Sequence, residues 1–190
     1  MTGKKLDERM IVAGSGGQGV LLMGKLLCRL MMDAGKHVTY VPSYGAEVRG
    51  GTCHCHVRLS DAPIYSPRVE NAATLVVMNA PSYERFRSLR DGRGLLLVNS
   101  SVIAVAEEDK RFALLVPASA IADELGDVRV TNMVLLGALN QRLGLLSHEA
   151  LRAGVREFVG VERARLAALN DSALCVGAEA ASRAPSPSAG

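Results

Sequence analysis

The short apolar run Arg9 to Ala13 (RMIVA) leads into Gly14-Ser15-Gly16-Gly17-Gln18-Gly19. It continues into VLLMGKLLCRLMMDAG, where Val20, Met23, Leu27, Leu30 and Met31 recur at helical spacing. The pattern is strand, glycine turn, helix. An apolar strand that turns directly into a helix with one apolar stripe needs a partner layer on that stripe, which directs the chain toward α/β architecture. Gly35 is placed to end the helix in a left-handed conformation, and the β-branched His37 to Val41 (HVTYV) predicts a second strand closed by Pro42.

Downstream the same layering repeats. Thr52 to Leu59 (TCHCHVRL) alternates, with Cys53, Cys55, Val57 and Leu59 on one face and His54, His56 and Arg58 on the other. Thr74 to Met78 and Gly94 to Val98 are uninterrupted apolar runs, as in central strands covered on both faces, with a helix predicted between them over Pro81 to Arg90. Phe112 to Val116 predicts a further strand, and Pro117 is placed to open a helix over Ala118 to Leu125. Thr131 is positioned to cap a helix that is apolar nearly all round and hence buried, and Ser147 to cap the next, with Leu151, Val155 and Phe158 on its inner face. A last helix is expected to run to about Val176. From Ala178 the sequence AEAASRAPSPSAG lacks periodicity, so a domain over 1–177 and a disordered tail over 178–190 are expected.

With 190 residues the chain has the length of one domain. Its charge, 22 Lys+Arg against 19 Asp+Glu, is spread rather than blocked, and three Phe, four Tyr and no Trp leave few rings for base stacking. Nucleic acid and membrane surfaces are therefore not expected partners. The longest apolar windows are broken by Lys25, Arg29, Asn140 and Arg142, and the first residues lack a signal-peptide core, so a soluble cytoplasmic protein with reduced thiols is expected.

Glycine is the outlier: ten of the nineteen precede Thr52. Gly14, Gly16 and Gly19 satisfy G-x-G-x-x-G between a strand and a helix, where backbone N–H groups hold anions. A dinucleotide site also needs an acidic residue at the end of the second strand, and Thr39, Tyr40 and Val41 stand there. Three readings remain: close packing of strand on helix, a phosphate-bearing ligand shared with another subunit, or a dinucleotide. The Cys53 to His56 tetrad invites a zinc reading, but neighbours on a strand point to opposite faces, so no metal site is assigned. No cluster-binding cysteine run, nucleophile elbow or paired-carboxylate signature is present, and no catalytic residue is assigned. The arginines Arg85, Arg87, Arg90 and Arg93 are expected on a solvated helix face.

One combination is more specific. Gly16-Gly17-Gln18-Gly19-Val20, the loop Pro42-Ser43-Tyr44-Gly45-Ala46-Glu47-Val48-Arg49-Gly50-Gly51-Thr52, and Ser60-Asp61-Ala62-Pro63-Ile64 together resemble the gamma subunit of 2-oxoacid:ferredoxin oxidoreductases. The 2-oxoglutarate (KorC-like) branch looks closest. The resemblance extends through Asn132-Met133, Leu136-Gly137-Ala138, Asn170, Ala173 and Gly177; it departs at Ala46, where Pro is usual, and at Cys53-His54.

The resemblance implies a single Rossmann-like domain, with a largely parallel sheet covered by helices and further helices at the C-terminal end. It also implies a complex that converts a 2-oxoacid, coenzyme A and oxidised ferredoxin into acyl-CoA, carbon dioxide and reduced ferredoxin. Thiamine diphosphate, Mg2+ and iron–sulfur clusters then belong to alpha, beta or ferredoxin-like delta partners, and this chain is one component without a cofactor of its own. On that reading Tyr44, Gly45, Glu47, Arg49, Gly50 and Gly51 meet partner subunits near the coenzyme A entrance, beside the turn formed by Gly14, Gly16, Gly17, Gln18 and Gly19. The alternatives are a free-standing nucleotide-binding protein or small NAD(P) oxidoreductase, and the small subunit of an indolepyruvate ferredoxin oxidoreductase.

Overall fold

In a computed structural model, residues 5–43, 52–160 and 163–185 are described. The strands are β1 (Asp7–Ser15), β2 (His37–Ser43), β3 (Thr52–Ser60), β4 (Ala72–Val77), β5 (Arg90–Asn99) and β6 (Ala113–Val116). The helices are α1 (Val20–Asp33), α2 (Ala80–Phe86), α3 (Ala118–Glu124), α4 (Thr131–Leu143), α5 (His148–Val159) and α6 (Ala164–Arg183). The strands form one sheet in the order β2-β3-β1-β4-β5-β6. β1, β4, β5 and β6 are parallel neighbours, while β3 runs antiparallel to both β1 and β2. This is the mixed α/β domain that the alternation of apolar runs and helical stripes predicts.

Period-two alternation divides the core into two layers. Met10 and Val12 of β1 face α1, α4, α5 and α6, whereas Ile11 and Ala13 face Tyr83 and Phe86 of α2. The first layer is built around α4, whose residues from Thr131 to Asn140 are all buried. Its axis approaches α6 closely because Gly137 lies against the Leu174 carbonyl and Gly177 against the Val134 carbonyl, leaving no room for a Cβ at either glycine.

Several local expectations are corrected. Pro42 does not close β2 but lies within it, opposite Cys55; β2 is an edge strand, where the missing N–H costs no ladder bond. Thr131 is the first residue of α4 and does not cap it: its hydroxyl donates to the Val128 carbonyl at 2.7 Å, continuing the preceding 3₁₀ turn. Ser147 does cap α5, accepting from the Ala150 N–H at 3.1 Å. Phe158, expected on the inner face of α5, is 40% exposed. The helix predicted up to Arg90 ends as α2 at Phe86; a 3₁₀ turn, Arg87–Leu89, follows, and Arg90 opens β5. Arg90 is not solvated: its guanidinium pairs with Asp109 at 3.2 Å and stacks on Phe112. α6 runs to Arg183 with Ala178 and Ala181 buried, six residues beyond the expected end of the folded domain at Gly177.

Candidate functional site

The parallel strands end on one rim of the sheet, where open α/β sheets bind ligands, at the point where the chain reverses its direction of strand addition. Here that point lies between β1 and β4. α1 leaves β1 on one face and α2 leaves β4 on the other. The glycine turn sits on this crevice, so its placement after a strand and before a helix agrees with the sequence pattern.

Its side chains close the crevice from within. Gln18 Oε1 accepts from the Ser15 N–H at 2.7 Å, and Gln18 Nε2 donates to the Met78 carbonyl at 3.4 Å, bridging β1 to the residue after β4. Gly14 is required beneath this bridge: a Cβ there would lie 2.7 Å from Gln18 Oε1 and 2.8 Å from a Val20 methyl. Asn79 donates to the Ser15 hydroxyl and accepts from the Ser82 N–H, capping α2. Asn99, fully buried, donates to the Ser119 hydroxyl at 2.8 Å and accepts from the Ser119 N–H at 3.2 Å. Gly16 and Gly17 are exposed at the tip of the turn, and Gly19 adopts φ 73° at the start of α1, packed on Asn132.

The residues Tyr44, Gly45, Glu47, Arg49, Gly50 and Gly51 lie outside the described residues. The two ends of that loop are described, and they are informative. Ser43 pairs with His54, and Thr52 pairs with Ser15, the last residue of β1. The loop therefore leaves and re-enters the sheet beside the glycine turn, although the two motifs are separated in sequence by α1 and β2. Arg85 of α2 donates to the Thr52 hydroxyl at the re-entry point.

The Cys-His tetrad follows strand geometry. Cys55 is buried against Gly24 of α1, and burial pushes its thiol up to about 12. Cys53 is half-buried rather than enclosed. His54 and His56 lie on the other face, with ring centroids 5.5 Å apart and His54 4.7 Å from Phe86. They are not freely outward: His56 Nδ1 accepts from the Val69 N–H at 3.1 Å, and burial, with smaller contributions from neighbouring charges, lowers both imidazoles below the ordinary histidine range. Among the described residues no three His, Cys, Asp or Glu side chains converge on a point that could hold a metal ion. None of the described helices is long and apolar enough to cross a membrane.

Comparison with known proteins gives this geometry a family. The model for "pyruvate ferredoxin/flavodoxin oxidoreductase" matches residues 9–180. The 2-oxoglutarate synthase subunit KorC of Methanothermobacter thermautotrophicus is 32% identical over 176 residues, which cover 86% of this chain and 92% of the relative. The ketoisovalerate oxidoreductase subunit VorA of the same organism is 38% identical over 161 residues, 83% of this chain. The chain spans about a third of the length of that relative, 33%. Among solved structures, a keto/oxoacid ferredoxin oxidoreductase gamma subunit from Geobacter sulfurreducens PCA superposes with a TM-score of 0.78 at 25% identity, covering 92% of this chain and 98% of that one. A 2-oxoglutarate:ferredoxin oxidoreductase from Magnetococcus marinus, with 2-oxoglutarate, coenzyme A and succinyl-CoA bound, gives 0.88 at 25% identity, covering 97% of this chain and 32% of that one. With the family model spanning nearly the whole chain and gamma subunits among its structural neighbours, this chain belongs to the pyruvate ferredoxin/flavodoxin oxidoreductase family and is of the gamma-subunit type.

Proposed function

We propose that this chain is the gamma component of a thiamine diphosphate-dependent 2-oxoacid:ferredoxin oxidoreductase of the cytoplasm. The complex would decarboxylate a 2-oxoacid, transfer the acyl group to coenzyme A and pass the electrons to ferredoxin. The observation that carries this reading is the near end-to-end match to the KorC subunit, 92% of the relative's length, on a fold whose strand-end crevice is closed by its own Gln18. A crevice so filled favours action with partners over a self-contained dinucleotide enzyme. Thiamine diphosphate with Mg2+ and the iron–sulfur clusters are assigned to alpha, beta and ferredoxin-like delta partners. When bound there, they supply the decarboxylation and electron transfer, while this chain positions coenzyme A and completes the assembly.

Within that role the loop bearing Tyr44, Gly45, Glu47, Arg49, Gly50 and Gly51 is proposed to meet the partners near the coenzyme A entrance. Its anchors, Ser43 and Thr52, stand beside the glycine turn on the rim where ligands approach such sheets. Arginine is suited to phosphate or carboxylate through its planar fork of donors. Arg49→Ala in the reconstituted complex should raise the KM for coenzyme A or weaken assembly, and unchanged values of both would refute the loop's role.

The 2-oxoacid is proposed to be 2-oxoglutarate, on the full-length KorC match. A branched-chain 2-oxoacid is the second reading, favoured by the higher identity to VorA, 38%. A comparison of kcat/KM for 2-oxoglutarate and ketoisovalerate in the assembled complex decides between them.

A further inference from the structure

On the face of the sheet opposite α1, β3 opens into a cavity of about 490 Å³, a volume typical of small-ligand pockets. His54 and His56 line it from β3, Arg68 and Glu70 from the connection between β3 and β4, and Arg85 and Phe86 from α2. None of the local motifs in the sequence accounts for this cluster.

The hydrogen bonds of the two imidazoles decide what they offer a ligand. His56 Nδ1 accepts from the Val69 N–H at 3.1 Å, so in the neutral ring the proton sits on Nε2. His54 Nδ1 is buried and has no hydrogen-bond partner among the described residues. A proton there would be a buried donor without an acceptor, so this ring too carries it on Nε2. Both neutral rings are therefore Nε2–H donors, and in these tautomers they do not offer a pair of lone pairs to a metal ion. They suit an oxyanion instead.

The charges around them point the same way. On this side of the sheet Arg58 is paired with Asp7, and Arg87 and Arg90 with Asp109. Arg68 and Arg85 have no such carboxylate among the described residues: Arg85 stacks on Phe86 and donates to the neutral Thr52 hydroxyl. Glu70 is the one acidic side chain lining the cavity, and burial keeps both imidazoles uncharged at neutral pH. Two guanidiniums against one carboxylate leave a single positive charge, which matches a monoanion better than a phosphate dianion. Phe86 and Leu89 add an apolar wall.

We propose that this cavity binds a small monocarboxylic acid, with its carboxylate between Arg68, Arg85 and the two imidazole N–H groups and its apolar body beside Phe86 and Leu89. The site goes beyond the gamma-subunit reading and does not depend on it.

The test titrates the full chain with isovalerate, with its uncharged amide isovaleramide, with inorganic phosphate, and with a capped peptide carrying one glutamate, while the histidine imidazole resonances are followed by NMR. The chain has four histidines, and His37 and His148 lie outside the cavity, so they serve as internal references. Isovalerate should move the His54 and His56 resonances saturably, leave the other two in place, and bind more tightly than any of the other probes. A bound anion favours the imidazolium forms, so the affinity should rise severalfold from pH 8 to pH 6. Arg68→Gln and Arg85→Gln, both at exposed positions, should each weaken binding about fivefold. No shift at His54 and His56, equal binding of the amide, preference for phosphate or for the peptide, affinity independent of pH, or unchanged binding by both variants would each overturn the assignment.

Discussion

The side-chain amide of Asn132 donates to the Gly19 carbonyl at 3.3 Å, tying the glycine turn to the start of the buried helix α4. Gly19 has φ 73°, and the space a Cβ would occupy there is filled by the same Asn132 amide. Gly19→Ala therefore meets backbone strain of about 1–2 kcal/mol and a clash in addition. A lower Tm by thermal denaturation is expected, accompanied by altered Asn132 side-chain resonances. Gly17→Ala should show the backbone strain without the clash, because Gly17 has φ 89° and open space around it.

The contact between α4 and α6 is set by backbone rather than by adaptable side chains. A methyl on Gly137 would overlap the Leu174 carbonyl, and one on Gly177 would overlap the Val134 carbonyl. Neither helix can yield without moving as a whole, so each Gly→Ala change should cost about 3 kcal/mol, at the upper end for overpacking. Urea titration of the two variants measures this, with a fall in the midpoint expected for both.

These glycines also show how much of the fold the sequence discloses. The β1–turn–α1 unit and the Cys/His alternation in β3 were legible because each follows from spacing within a few residues. The far end of α6 was not, because its inner face is made of Gly177, Ala178 and Ala181, too small to form an apolar stripe until α4 is seen against them. Pro42 reads as a strand stop unless β2 is known to lie at the sheet edge. The glycine turn reads in the sequence as a candidate site, but its closure by Gln18 depends on Met78, which follows the end of β4 far along the chain. In the sequence Asn132 and Asn170 are only points of resemblance; both border a cavity of about 450 Å³ lined from α1, α4, α5 and α6, which no local pattern encodes.

Asp109 holds the second layer together. It accepts from the Tyr83 hydroxyl at 2.7 Å and pairs with Arg87 at 3.1 Å and Arg90 at 3.2 Å. Asp109→Ala leaves the Arg90 guanidinium, 8% exposed, without its carboxylate, and a loss of about 3–5 kcal/mol is expected. Tyr83→Phe removes the bond its hydroxyl donates to Asp109 and the one it accepts from the Ala106 N–H at 3.1 Å, and should cost about 1.5–3 kcal/mol. Chemical denaturation of both variants should place them in that order.

Asp171 of α6 accepts from Arg152 at 2.6 Å and from Arg156 at 3.0 Å on α5. The hydrogen-bonded Arg152 guanidinium, aided by Arg156, holds its carboxyl below the ordinary carboxylate value. A depressed folded-state value means that the stabilisation is complete above the unfolded carboxylate pKa of about 3.9 and is lost as pH falls through the folded value. Asp171→Asn should lower Tm by about 2–4 °C at pH 6, with the difference from the parent shrinking below about pH 4.

Burial pushes the thiols of Cys28 and Cys55 up to about 12. At pH 8 their thiolate fraction is about a thousandfold below that of an ordinary thiol, so alkylation by iodoacetamide should spare them in the folded chain. Peptide mapping should find Cys175 labelled first, with Cys28 and Cys55 labelled only after denaturant is added.

The most direct measurement is 2-oxoacid-driven, coenzyme A-dependent ferredoxin reduction by the thiamine-binding partner subunits, reconstituted with and without this chain. Turnover that appears only when the chain is added, together with acyl-CoA formed in proportion to reduced ferredoxin, is the expected result. Partner subunits that reach the full rate and the same KM for coenzyme A without it would contradict its assignment as the gamma component.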